Sequence, residues 1–170
     1  MASGKTSVTR RLQSVTSRPQ ASVDALIVQT TGLPISRLFD ERGEPAFRQL
    51  ELETLASLEA ARPLLVDTGG GVVNTPAAVD LLRERGVVIW LDEPWITIRS
   101  RLDRSDPEER PLVRDLGWSG LEALFRRRRA LYAAAADFRL CGQDGDLEAL
   151  AHRAMLRSLI WERRQDGKRS

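Results

Sequence analysis

Leu64-Leu65-Val66-Asp67-Thr68-Gly69-Gly70-Gly71, followed further along by Val87-Val88-Ile89-Trp90-Leu91, is the stretch on which the reading of this chain turns. The first run is apolar until the glycines stop it, and the second is apolar throughout. Strands covered on both faces of a parallel sheet read this way, because neither face meets water. Between them Pro76 to Arg85 has helical character, so the three pieces form a strand–helix–strand unit. The class expected from that unit is α/β, a three-layer α/β/α domain with helices on both faces of a central parallel sheet of about five strands.

On the amino-terminal side, residues 5–16 predict a helix, with Val8, Leu12 and Val15 at helical spacing and Pro19 ending it. Asp24 to Thr31 predicts a second helix that stops at Gly32. A polar turn is expected over Asp40-Glu41-Arg42-Gly43-Glu44, and then a longer amphipathic helix from Pro45 to Ala61 that carries Phe47, Leu50, Leu55 and Leu58. On the carboxyl side, helices are expected over Trp95–Leu102, Leu121–Ala136 and Leu147–Arg163, with Phe138-Arg139-Leu140 as an edge or final strand. Residues 1–163 are expected to form one domain, since a chain of 170 residues with 42% hydrophobic content suffices for one core. Residues 164–170 read as a polar tail.

Charge and cysteine content narrow the classes. Lys plus Arg number 26 and Asp plus Glu 24, and a net charge of +2 supplies no field for nucleic acid. Cys141 is the single cysteine and has no internal partner for a disulfide. No apolar run approaches the eighteen or so residues that span a bilayer. The expectation is a cytoplasmic monomer with no nucleic-acid or membrane partner.

Ser3-Gly4-Lys5-Thr6, opening a helix, looks like the second half of a phosphate-binding loop. In such a loop backbone N–H groups and the helix N-terminus meet phosphates, Lys5 supplies charge, and the Thr6 hydroxyl is the expected Mg²⁺ ligand. The full pattern has a glycine five residues before Gly4, ahead of Met1. The first strand is therefore expected to be missing or incomplete, as if the chain were truncated within the motif, with weak ATP binding and little activity as a consequence. Taken alone, Gly-Lys-Thr also reads as an ordinary helix start, Thr68 to Gly71 as a flexible turn, and Arg126 to Arg129 as a solvated face.

Their order along the chain adds more. Gly4-Lys5-Thr6, Asp24, Leu38-Phe39 with Gly43-Glu44, Phe47-Arg48 followed by Glu51, Gly69-Gly70-Gly71, Arg110-Pro111-Leu112, and Arg128 with Leu131-Tyr132 succeed one another. In that order and spacing the chain resembles the shikimate kinases from Met1 to about Leu140. The resemblance implies phosphorylation of shikimate to shikimate 3-phosphate by ATP with Mg²⁺, a step of aromatic amino-acid biosynthesis. It implies a nucleotide site at Ser3, Gly4, Lys5, Thr6, Ser7 and Arg110, with Thr6 on the metal. Asp24, Arg48, Gly69, Gly70, Gly71 and Arg128 would hold shikimate. Lys5, Asp24 and Arg110 would be catalytic, Asp24 orienting the attacking hydroxyl and Arg110 reaching the transferring phosphoryl group from a lid over residues 103–118. A carboxylate substrate suits paired guanidinium forks, and an Asp can accept from hydroxyls.

The chain departs from that family in places. Ser22 stands where an outer metal-holding carboxylate is usual, Thr9 where a glycine is usual, and Ala130 where a proline is usual. Pro19-Gln20-Ala21 is weak as a strand. Asp67 is a carboxylate at the end of a buried strand, open to metal, capping or hydrogen-bonding roles. A non-catalytic ligand-sensing domain of the same fold, and a kinase of another small hydroxy acid, are the alternative readings.

Overall fold

The computed structural model describes residues 2–59, 63–104, 111–141 and 146–169, without the side chains at 111, 112, 114 and 165–169. The elements run α1 (Lys5–Thr16), β1 (Gln20–Ser22), α2 (Val23–Thr31), α3 (Ile35–Ser57), β2 (Leu65–Asp67), α4 (Pro76–Arg85), β3 (Ile89–Asp92), α5 (Trp95–Asp103), α6 (Pro111–Ala135), β4 (Phe138–Cys141) and α7 (Leu147–Arg169). A single 3₁₀ turn at Val72–Asn74 joins β2 to α4.

Among the described residues all strand pairing is parallel. β1 lies beside β2 in the register Gln20↔Leu65, Ala21↔Val66, Ser22↔Asp67. β3 lies beside β4, from Ile89↔Phe138 to Asp92↔Cys141. Side chains of a strand alternate between faces, and the two core clusters follow that rule. Leu65 of β2 and Ile89 and Leu91 of β3 pack with Val8 and Leu12 of α1, Leu140 of β4, and Leu150 and Ala154 of α7. Val66, the next residue of β2, turns the other way onto Val23, Ile27, Leu38, Phe47 and Ala78 of α2, α3 and α4. Trp90 of β3 likewise faces α6, with its ring 5.8 Å from that of Tyr132. Helices therefore cover both faces, the layering expected from the strand–helix–strand unit.

Two local features differ from the expectation. Gln20–Ser22 is a strand despite its weak propensity, held by the β2 ladder and by Leu65 N–H donating to the Pro19 carbonyl at 2.9 Å. The segment expected as a polar turn at 40–44 is instead the bend within α3. The helix continues through Arg42 and breaks at Gly43, whose φ of 76° suits a residue without Cβ, before resuming around Pro45. Thr9, in the place of a small residue, is accommodated by hydrogen bonding. Its hydroxyl reaches the Lys5 and Thr6 carbonyls at 3.1 Å and accepts from Gln20 Nε2 at 3.1 Å.

Among the described residues, β2 and β3 share no ladder, so each carries one edge without a strand partner. An apolar cavity of about 110 Å³ touches every residue from Val88 to Glu93. A cavity against one face of a strand touches alternate residues, so this one follows the edge. An extended apolar segment of about five residues, joined ahead of Met1, is expected to pair with both edges. Each backbone group so satisfied contributes about 1 kcal/mol, and a shift of roughly 2 to 4 °C per kcal/mol applies to a domain of this size. Melting of the lengthened chain about 5 °C or more above this one is the expected result. Equal melting would show that the edges need no strand.

Candidate active site

The site forms at the carboxyl ends of β1 and β2, where the helices after each strand begin. Gly4, with φ of 82°, takes a left-handed conformation that directs the chain into α1, so Lys5 and Thr6 sit in the first helical turn. The Thr6 hydroxyl donates to Asp67 Oδ2 at 2.6 Å and so fixes this turn to the end of β2. Arg101 of α5 approaches from the other side. Its Nη1 donates to the Ala2 carbonyl at 3.0 Å, and its Nη2 lies 3.4 Å from the buried Glu93. A cleft of about 500 Å³ opens beside this turn, lined by Gly4, Lys5, Thr6, Ser7, Arg101 and Asp146 among others. Free N–H groups at a helix N-terminus beside a lysine are suited to phosphate.

Asp24 stands in the first turn of α2, which the Ser22 hydroxyl caps by accepting from Ala25 N–H at 3.4 Å. Burial pushes the Asp24 carboxyl above its ordinary value of 3.8, against the pull of Lys5 and Arg48 and with added repulsion from Asp67. These charges therefore share one neighbourhood. Gly69 closes tightly on it. A Cβ at Gly69 would lie 2.7 Å from Glu51 Oε1 and 2.9 Å from Asp24 Oδ1, and one at Gly71 would overlap the Arg48 guanidinium. A side chain at either position would have to displace these site side chains, so glycine lets Asp24, Glu51 and Arg48 keep their places against the turn.

Arg48, on α3, is held on three sides. It bonds Glu51 one turn along the helix, contacts Glu44 at 2.9 Å, and its guanidinium lies 5.3 Å from the Phe47 ring centroid and 5.9 Å from that of Phe39. Burial alone would lower the Arg48 pKa, but the bonds to Glu51 and Glu44 outweigh it and raise the value. Glu51 is only 1% exposed, and burial raises its carboxyl while the Arg48 bond opposes the rise. Its Oε1 is buried with no hydrogen-bond partner in this structure. Arg128 of α6 is 9% exposed, with its Nε also buried and unpartnered. Burial depresses the Arg128 pKa below the ordinary guanidinium value, and Arg48 is among the groups that depress it further. Two guanidinium groups are thus held near each other, Arg48 bonded to Glu44 and Glu51 and Arg128 with its Nε donor unused, and planar donors so placed suit an anion. Tyr132, one turn beyond Arg128, donates its hydroxyl to the Gly70 carbonyl and ties α6 to the glycine turn.

Asp24, Arg48, Gly69, Gly70, Gly71 and Arg128 are therefore brought together, next to Lys5 and Thr6. Arg110 lies outside the described residues, as do 105–109 of the lid expectation; Asp103 ends α5 and residues 111–118 belong to α6. The sequence reading assigned no role to Glu51, Tyr132 or Arg101. The signal for the first two is helical spacing: Glu51 lies three residues after Arg48 and Tyr132 four after Arg128, distances that place each on its arginine's helix face. Among the described residues no helix is long and apolar enough to cross a membrane.

Comparison with known proteins agrees with this geometry. The family model described as shikimate kinase matches residues 1–157. A shikimate kinase of Synechococcus sp. (strain JA-3-3Ab) is 39% identical over 136 residues, covering 79% of this chain and 71% of that one. A shikimate kinase of Symbiobacterium thermophilum is 37% identical over 142 residues, covering 83% and 82%. Among solved structures, the shikimate kinase of Acinetobacter baumannii in complex with shikimate superposes with a TM-score of 0.84 at 29% identity, covering 96% of this chain and 89% of that one. That of Aquifex aeolicus gives 0.73 at 28% identity, covering 92% and 89%. With a family match over residues 1–157, nearly its whole length, this chain belongs to the shikimate kinase family.

Proposed function

We propose that the chain transfers the γ-phosphoryl group of ATP to a hydroxyl of shikimate, yielding shikimate 3-phosphate and ADP, as a cytoplasmic monomer. The observation that carries this reading is the convergence of Asp24, Arg48 and Arg128 on the Gly69–Gly71 turn, beside the Lys5–Thr6 helix start. Arg48 and Arg128 receive the substrate carboxylate, their planar donors matching its two oxygens. Asp24 accepts a hydrogen bond from the reacting hydroxyl and takes its proton as the O–P bond forms and the bond to ADP breaks. Its burial-raised pKa makes it a stronger base than an exposed aspartate. Lys5 lies against the departing phosphates, and the backbone N–H groups at the start of α1 point the same way.

Mg²⁺ suits this donor set, because Thr6 presents a hydroxyl oxygen 2.6 Å from a carboxylate at the phosphate end of α1. Thr6 is the residue we assign to it, and when bound the ion neutralises charge on the nucleotide's phosphates. We assign Arg110 to the transferring phosphoryl group and residues 103–118 to a lid, on the strength of the family resemblance. Nucleotide is taken up along Ser3 to Ser7. The test is ADP release in a coupled assay with MgATP and shikimate. ADP formation that depends on shikimate, slow in this chain and faster in the one lengthened ahead of Met1, and absent with substrates lacking the carboxylate, is the expected result; ligand binding without turnover in both would favour a sensing domain instead.

A further inference from the structure

We propose that Asp67 is the carboxylate with which this chain holds the nucleotide's divalent cation, in partnership with Thr6 and in place of a carboxylate at Ser22. This rests on the kinase reading above and deepens it. Ser22 and Asp67 are opposite one another in the β1–β2 register, at the last rung before both strands give way to the site. The rung thus carries one neutral hydroxyl and one carboxylate, and the hydroxyl is already engaged in capping α2.

Asp67 meets three conditions for the role. It is 7% exposed, so its charge is little screened by water. The group it accepts from is the neutral hydroxyl of Thr6, at 2.6 Å, which leaves its negative charge without a cation at that contact. It also lies near Asp24, since its charge is among the influences that raise that carboxyl's pKa. A buried carboxylate facing a hydroxyl at a phosphate-binding helix start offers hard anionic oxygen, the donor that Mg²⁺ takes together with phosphate. A purely structural alternative is that Asp67 only anchors α1 through the Thr6 bond.

The two differ in charge, so Asp67→Asn separates them, since the amide oxygen still accepts from Thr6 while the charge is lost. ADP binding is measured by calorimetry with and without Mg²⁺, and Mn²⁺ uptake in the presence of ADP by electron paramagnetic resonance. In the native chain Mg²⁺ is expected to tighten ADP binding. Asp67→Asn should lose at least about tenfold of that increment, a single hard-ligand loss, with metal-free ADP affinity and shikimate affinity unchanged. The exchange Ser22→Asp with Asp67→Ser returns one carboxylate to the rung and should recover the increment, which also covers the case in which Asp67→Asn folds poorly. An undiminished Mg²⁺ increment in folded Asp67→Asn, or none in the folded exchange variant, overturns the proposal. Absence of ADP and shikimate binding in the native chain would instead overturn the kinase reading itself.

Discussion

Arg128→Ala is expected to weaken shikimate binding by about 30- to 4,000-fold, the equivalent of roughly 2 to 5 kcal/mol for truncating one side of a buried charge-assisted contact. The expectation rests on burial. At 9% exposure the guanidinium has given up most of its water, and its Nε finds no partner in the protein. Desolvation without a compensating bond is unfavourable, and the arriving carboxylate supplies that bond. Removing the side chain leaves the substrate carboxylate facing Arg48 alone, already shared between Glu51 and Glu44. Arg128→Lys should fall between the two, since it retains charge but not the planar fork. Shikimate titration by calorimetry checks the size, and an unchanged KM for MgATP checks that the loss is local. Shikimate affinity within about threefold of the native value, less than one ordinary hydrogen bond, would remove Arg128 from the substrate site.

What the sequence made legible follows from how local each signal is. The parallel α/β class could be read because β2 and β3 are apolar on both faces and separated by one helix. β1 could not, because Pro19-Gln20-Ala21 has little strand preference and is extended only by pairing with Leu65–Asp67. The bend at Gly43 reads as a turn in the sequence because Gly and Pro punctuate helices as well as ending them. The flanking residues remain helical because Leu38 and Phe47 are both buried in one cluster. In the site, motif order marked the residues that meet ligand, while their supports stayed hidden. The Tyr132–Gly70 bond spans 62 positions and Arg101 reaches Ala2 across 99, separations at which no local pattern operates. Gly69 and Gly71 read as a flexible turn or a ligand contact. Their packing against Asp24, Glu51 and Arg48 adds a steric reason for glycine that needed coordinates.

Asp24→Asn is expected to lower kcat by about 10²- to 10⁴-fold, the usual contribution of a positioned general base, while raising the melting temperature at neutral pH. The two effects have one origin. Burial raises the folded-state pKa of Asp24 above 3.8, so folding favours its protonated form. Linkage then gives the sign: the stability associated with this group is fully present below the unfolded value and is lost as pH rises through the folded one. At neutral pH the ionised carboxylate therefore costs stability, and an amide of the same shape removes that cost. Lys5 and Arg48 reduce the penalty without cancelling it, since the net shift is upward. In the native chain kcat should fall on the acid side as Asp24 protonates, with a midpoint above the ordinary aspartate value, and the Asn variant should lack that limb. Melting at pH 5 and pH 8 provides the second reading, with the gain from Asp24→Asn larger at pH 8. A variant that keeps native turnover would exclude Asp24 as the base. One that melts lower at both pH values would show that its charge stabilises the fold through Lys5 and Arg48, and that burial is not the dominant influence on this carboxylate.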